Sequence, residues 1–503
     1  MPDIMRVLRH PAARLTAQTP QPCMRPKRLL LASAAILLAS AAPVHAESLT
    51  EALRATLQTN PEIRSALENR QASEQLALQA SGARLPTVDV TADYGKEASD
   101  NTTTRGLSEG TYTLTRGDSA VTITQPLFDG FAAQHDISRA EKTLESSDYA
   151  YQRTAEAVGM TAVEAYLEAL KQRKLRKLAE ENIALHQEIL DKVKAKAEGG
   201  AGNEADVQQT QSRLALAQAT LSAIDGALRI ADARYERIVG HPPQDLQEPT
   251  LDAEALPKAL DQAIKAATTE HPAIVGAGLD VAAAQSNYEN ALSAFMPTVN
   301  LELAYSNNAN VSGTRGYAKA LSALVKLSYN LYNGGRDEGV RHERANRVNQ
   351  SREALEVARR STQEAVVVAW ESLAMAQERV ALLEKQVQVS QDVVKAYADQ
   401  FKLGKRTLLD LLNGENELYT AKTSYTSEKF AFMTAHYRLW NSLGVLRDAL
   451  DAPLPERPAA AKRHTVLETF LRRGLDQLKT LPGKGVEQVK SLGDWGQGVI
   501  QGK

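Results

Sequence analysis

Leu85-Pro86-Thr87-Val88-Asp89-Val90-Thr91-Ala92-Asp93-Tyr94 decides the fold, because a near copy follows at Met296-Pro297-Thr298-Val299-Asn300-Leu301-Glu302-Leu303-Ala304-Tyr305. Each stretch opens on proline and then alternates. Val88, Val90, Ala92 and Tyr94 face one way and Thr87, Asp89, Thr91 and Asp93 the other; Val299, Leu301, Leu303 and Tyr305 oppose Asn300, Glu302 and Ala304. A period of two with one apolar face is the signature of a strand. The same 211-residue spacing separates Asn60-Pro61 from His271-Pro272. Downstream the spacing becomes 204, relating Leu127-Phe128-Asp129-Gly130 to Leu331-Tyr332-Asn333-Gly334 and Asp206-Val207 to Asp410-Leu411. A constant register broken by one small deletion indicates a duplicated structural unit.

Two further alternating runs lead into the Gly130 and Gly334 motifs. One carries Val121, Ile123 and Leu127; the other carries Leu321, Ala323, Val325, Leu327, Tyr329 and Leu331. The strands expected are therefore about 86–97, 111–128, 297–307 and 317–332, with polar tips at 98–110 and 307–316. About ten tilted residues suffice to cross an outer membrane, and Tyr94, Tyr305 and Tyr329 suit its interfacial girdle. Alternation alone also fits two hairpins of a half-buried soluble sheet. If the strands do span lipid, four cannot close a barrel, and open edges are not tolerated there. The wall must then be completed by further copies of the chain.

No proline interrupts 130–199, and at ~1.5 Å per residue a helix of that length is about 100 Å long. The second unit repeats it over 335–403, with Val366, Leu373, Val380, Val387, Val394 and Phe401 at intervals of seven. Ala369, Ala376, Leu383, Ser390 and Tyr397 follow three residues behind, an a/d seam with several small residues. Each long helix ends at glycine (Gly200 and Gly202 in the first unit, Gly404 in the second), where the chain reverses into return helices at 204–239 and 406–446. Shorter helices precede the strands: one starts at Ser48, whose side chain pairs with Glu51 in a capping box, and one near Pro257. Asn60-Pro61 and His271-Pro272 break them. The domain plan is repeat one at 47–241, a linker at 242–256 and repeat two at 257–450, with strand–helix junctions at Pro86, Gly130, Pro297 and Gly334.

The ends read differently. Arg25, Lys27 and Arg28 precede an apolar run at 29–42 and then Val44-His45-Ala46, so 1–46 is a signal peptide with Met24 as a candidate initiator. The one cysteine, Cys23, lies before that run, which leaves a mature chain without disulfide or thiolate chemistry. No later apolar run is long enough for a transmembrane helix. A Pro/Ala linker at 451–463 leads to a C-terminal extension, 464–503, with an amphipathic stripe of Val466, Phe470, Leu471, Leu475 and Leu478. The net charge of −2 and the lack of a basic face argue against a nucleic-acid partner, and the Arg173–Lys177 and Arg359-Arg360 runs read as solvated helix faces. No phosphate-binding loop, metal-binding His-Glu-x-x-His or nucleophile elbow is present, Gly276-Ala277-Gly278 lacks a dinucleotide fingerprint, and His342 beside Glu343 reads as a surface pair. The chain is expected to be neither an enzyme nor a holder of a cofactor or metal.

Taken together, the duplicated unit and the segment Phe401-Lys402-Leu403-Gly404-Lys405-Arg406-Thr407-Leu408-Leu409-Asp410-Leu411-Leu412-Asn413 resemble the TolC family of outer-membrane export channels. The resemblance runs over nearly all of the mature chain to about Ala449. It implies an α+β membrane protein: a homotrimer with a twelve-stranded outer-membrane β-barrel, four strands per protomer, continued by a long α-helical periplasmic tunnel. It implies a periplasmic adaptor and an inner-membrane ABC or other pump as partners. By matching positions, Asp206 and Arg406 form a link that closes the periplasmic gate, Phe401 stands where a hydroxyl-bearing aromatic is common, Asp410 forms a carboxylate ring, and Asn413 replaces a second acid. Three functions stay open: a protein-export channel of a type I secretion system, towards which Leu127-Phe128-Asp129-Gly130-Phe131 leans; a small-molecule efflux channel; and a non-conducting periplasmic coiled-coil scaffold.

Overall fold

A computed structural model describes residues 46–106, 110–199, 202–251 and 256–455 of the 503-residue chain. Residues 1–45 of the expected signal peptide, Gly200 and the 464–503 extension lie outside the described residues. Repeat one comprises α1 (Leu49–Thr59), α2 (Pro61–Gly82), β1 (Thr87–Ser99), α3 (Thr102–Gly106), β2 (Tyr112–Phe128), α4 (Ala132–Glu198) and α5 (Glu204–Val239). Repeat two comprises α6 (Leu260–Glu270), α7 (Pro272–Leu292), β3 (Thr298–Ala309), β4 (Tyr317–Ser328), α8 (Arg336–Lys402), α9 (Leu408–Leu443) and α10 (Leu446–Ala449).

The four strands form one antiparallel sheet in the order β1-β2-β3-β4. β2 continues to Phe128 because β3 supports it to Val299, across a bulge at Pro126. β4 stops at Ser328, opposite Thr298, where Pro297 ends its partner. The strand expected to reach residue 332 is therefore shorter: beyond Ser328 its backbone has nothing to pair with in the protomer.

The α1/α2 and α6/α7 kinks hold the ends of the return helices. Asn60 caps α2 by accepting from the Glu62 N–H at 2.9 Å, and its amide donates to the Ile238 carbonyl at 3.2 Å. Thr59 Oγ1 donates to the Val239 carbonyl at 3.0 Å. α5 then stops at Gly240, φ +99°, where a Cβ would stand 3.0 Å from Thr59 Oγ1. The second repeat does the same: α9 stops at Gly444, φ +75°, with Pro272 Cδ 2.8 Å from a Cβ position. That glycine corrects the expected 406–446 helix, which breaks at 444 before α10 begins.

Along α8, which packs chiefly against α9, the heptad positions Val366, Ala369, Ala376, Ser390 and Val394 are buried. Midway along the helices, Tyr166 on α4 is fully buried and donates to the Glu47 carbonyl at 2.7 Å and the Gln247 carbonyl at 2.6 Å. It fastens the first described residues and the inter-repeat linker to the bundle. The Arg173–Lys177 run, expected to be solvated, fastens the same linker. Arg173 donates to the Gln244 and Pro243 carbonyls, Lys174 pairs with Glu248, and Arg176 pairs with Asp225 of α5. Arg360 does face solvent and pairs along its own helix, with Glu356.

Candidate functional site: the membrane face and the helix tips

The sheet register sorts the side chains into two faces. Val90, Val121, Tyr305 and Leu321 align across all four strands, as do Val88, Ile123, Leu303 and Ala323. The opposite face carries Asp89, Thr122, Ala304 and Ser322 on one rung and Asp93, Asp118, Asn308 and Ala318 on another. Ion pairs lie along it: Arg116 bonds Glu97 and Asp118, and Lys326 bonds Glu302.

The apolar face is bare. Val90 is 73% exposed, Tyr94 86% and Leu321 82%, so no helix among the described residues covers it, as a half-buried soluble sheet would require. An uncovered apolar face of this extent belongs against lipid or protein. β1 and β4 also leave open edges, and edge strands need either pairing or protection. At the strand-to-helix joint, Gly130 and Phe131 both take left-handed φ of +68° and +67°, matched by Gly334 and Gly335 at +63° and +77°. Phe131 lacks glycine's freedom there, and its ring packs edge-on against Phe128 at 5.4 Å.

At the opposite end of the long helices, the two hairpins meet. Ile189, Leu190 and Val193 of α4, Val207 and Leu214 of α5 and Leu408 and Leu412 of α9 share one buried cluster. The α4–α5 turn is tight at Gly202, where a Cβ would fall 2.6 Å from Ala197 N. Gly404, φ +68°, turns α8 into α9, and Thr407 with Asp410 forms a capping box at the start of α9. Asp410 Oδ2 accepts from Thr407 Oγ1 at 2.8 Å and from its backbone N–H at 3.3 Å. Those two donors, with Arg406 adding a favourable charge, hold the Asp410 carboxyl below the usual carboxylate range.

The expected tip residues take specific partners. Arg406 lies over the Tyr397 ring at 4.3 Å, donates to Gln400 Oε1 at 3.1 Å and stands 3.7 Å from Asp410. Within the protomer it does not meet Asp206, among the described residues. Phe401 is half-buried under the Lys196 ammonium of α4, 4.5 Å from the ring centroid. Asn413 Oδ1 accepts from Arg213 Nη2 of α5 at 3.2 Å. Lys196 and Arg213 escaped the sequence reading because they break the repeat: their counterparts 204 residues on are Gln400 and Glu417. Gly240 and Gly444 obey that spacing, so extending the repeat alignment finds them. His342 pairs with Glu338, one turn back, rather than with Glu343.

A four-stranded sheet with an uncovered apolar face, joined to a duplicated long-helix hairpin, fits one family description, Outer membrane efflux protein, which matches residues 52–241 and 263–445. The chain belongs to the outer membrane efflux protein family. It is an outer-membrane channel component reaching into the periplasm and not an enzyme, and the scaffold reading is overturned. The chain is 27% identical over 399 residues to the outer membrane efflux protein BepC of Brucella suis, covering 79% of this chain and 85% of that one. It is 26% identical over 433 residues to the alkaline protease secretion protein AprF of Pseudomonas aeruginosa, covering 82% and 88%. Its fold is similar to that of the outer membrane protein VceC from Vibrio cholerae, with a TM-score of 0.65 at 17% identity over 79% of this chain and 96% of that one.

One helix departs from expectation. α5 contains a window with mean hydropathy 1.2, long and apolar enough by composition to cross a membrane. The helix packs against α4 along one side, while most of that window, Leu216 and Ile230 included, is left unburied by the protomer.

Proposed function

We propose that this chain exports protein substrates as the outer-membrane channel-tunnel of a type I secretion system. Three copies complete the wall, and an inner-membrane ABC or other pump delivers cargo through a periplasmic adaptor. The bare apolar sheet face with two open edges carries the channel reading. Matching apolar edges on the helices support the assembly: Leu216 and Ile230 are exposed on α5, and Val368, Met375, Leu382 and Val389 recur every seven residues on the exposed side of α8. Such stripes need a neighbouring helix. Energy must come from the partners, since the sequence holds no nucleotide-binding loop. In this reading Asp206, Phe401, Arg406, Asp410 and Asn413 line the periplasmic gate, with Arg406 available to Asp206 of an adjacent copy and Asp410 forming a cation-attracting ring.

Similarity to a protease secretion protein over most of both chains and the Leu127–Phe131 junction support protein cargo. The comparable similarity to an efflux protein favours small-molecule export as the second reading. The test is a proteomic comparison of culture supernatants with and without the gene. Loss of one or a few large secreted proteins is the expected result. An unchanged secretome with heightened drug susceptibility would replace it by the efflux reading.

A further inference from the structure

The two hairpins of a protomer are tied at the tip by contacts of one chemical kind. Both cations, Lys196 and Arg213, come from repeat one, and both acceptors, the Phe401 ring and the Asn413 amide, come from repeat two and are uncharged. Among the described residues no ion pair joins the hairpins at this level, because Arg406, Asp410, Lys402 and Asp399 pair within their own hairpin. Phe401 packs against the buried cluster that holds Leu412. We propose that Lys196–Phe401 and Arg213–Asn413 form an intraprotomer latch, in which cations of the first repeat hold neutral groups of the second and keep the periplasmic tip closed. The proposal rests on the gated-channel reading and assigns the gate two residues, Lys196 and Arg213, that the repeat pattern does not mark.

The chemistry accounts for an aromatic without a hydroxyl at position 401. A cation is attracted to the ring face itself, so Phe serves as well as Tyr. Release of the latch leaves no buried unpaired charge, because all four groups reach solvent when the hairpins part, and opening therefore stays easily reversible.

Full-length protein in planar bilayers gives the test, read as basal open probability rather than current amplitude. An exposed contact of this kind is worth about a twofold factor, so removing it in three copies raises the open fraction about tenfold. Arg213→Ala and Lys196→Ala should each do so. Arg213→Ala should add nothing in an Asn413→Ala background and should add fully to Arg406→Ser. Asn413→Asp turns the neutral acceptor into an anion, so it should lower the open fraction and make it rise with salt. Unchanged open probability in both cation variants, or an Arg213→Ala effect undiminished beside Asn413→Ala, overturns the latch. Absence of conductance in the wild type and in every latch-broken variant alike overturns the gated-channel reading instead.

Discussion

Gly444→Ala tests whether the kinked α6/α7 pair positions the end of the return helix. Two costs add at this residue. An L-residue held at φ +75° incurs about 1–2 kcal/mol of left-handed strain. The new methyl would also lie 2.8 Å from Pro272 Cδ and 3.2 Å from His271 Cδ2. Neither atom is the free end of a flexible chain, so overpacking adds about 1–3 kcal/mol. Gly404→Ala is the matched control: its φ is +68°, yet nothing lies within 4 Å of the new methyl, leaving strain alone, about 1–2 kcal/mol. Hydrogen exchange in detergent, followed by mass spectrometry, reads both sites. At about 1.4 kcal/mol per tenfold, amides around 440–450 in Gly444→Ala should lose protection by some thirtyfold to several-thousandfold. Amides around 402–408 in Gly404→Ala should lose roughly five- to thirtyfold. Equal losses at the two sites would refute the packing argument and leave only backbone conformation. No loss at Gly444 would refute both parts.

Three further outcomes follow from named contacts. Asp410→Asn keeps an acceptor for Thr407 but removes the charge, so bilayer reversal potentials should show a weakened cation preference with α9 intact. Asp410→Ala should also fray the cap, at about 1 kcal/mol, and a preference that survives Asp410→Asn puts the selective ring elsewhere. Because the Asp410 carboxyl is held below its usual range, wild-type preference should persist as pH falls through 4. Tyr166→Phe strips a donor from the Glu47 and Gln247 carbonyls, costing about 1–3 kcal/mol, visible as a lower thermal midpoint and faster proteolysis of the linker. Glu156, buried on α4 where it accepts from the Arg447 N–H, is pushed up to about 7 by desolvation from 4.5. The folded chain then holds the proton that the unfolded chain loses. Its contribution is full below pH 4.5 and is lost as pH rises through 7. Glu156→Gln should flatten thermal stability across that window, and an unaltered pH profile would assign the dependence to other groups.

The fold was legible where one physical constraint repeats along the chain. Lipid on one side of a strand enforces period two, and the sheet register bears that pattern out rung by rung from Val90 to Leu321. A helix packed on one seam enforces period seven, and the seam from Val366 to Val394 is the buried line of α8. Duplication made both patterns visible twice. The tip was less legible because partner choice there depends on which side chains from distant segments arrive together. The family resemblance pairs Arg406 with Asp206, yet the Arg406 guanidinium finds an aromatic face, an amide and a carboxylate on its own hairpin without crossing a gap. Arg173 shows the same limit from the other direction: a charge run that looks solvated becomes a clamp because the linker carbonyls of Pro243 and Gln244 lie beside it. The most informative positions are thus those where the repeats disagree. A duplicated scaffold needs the same glycine at 240 and 444, but a contact between its two halves needs a donor on one and an acceptor on the other. Such a contact must break the symmetry, as Lys196 against Phe401 and Arg213 against Asn413 do.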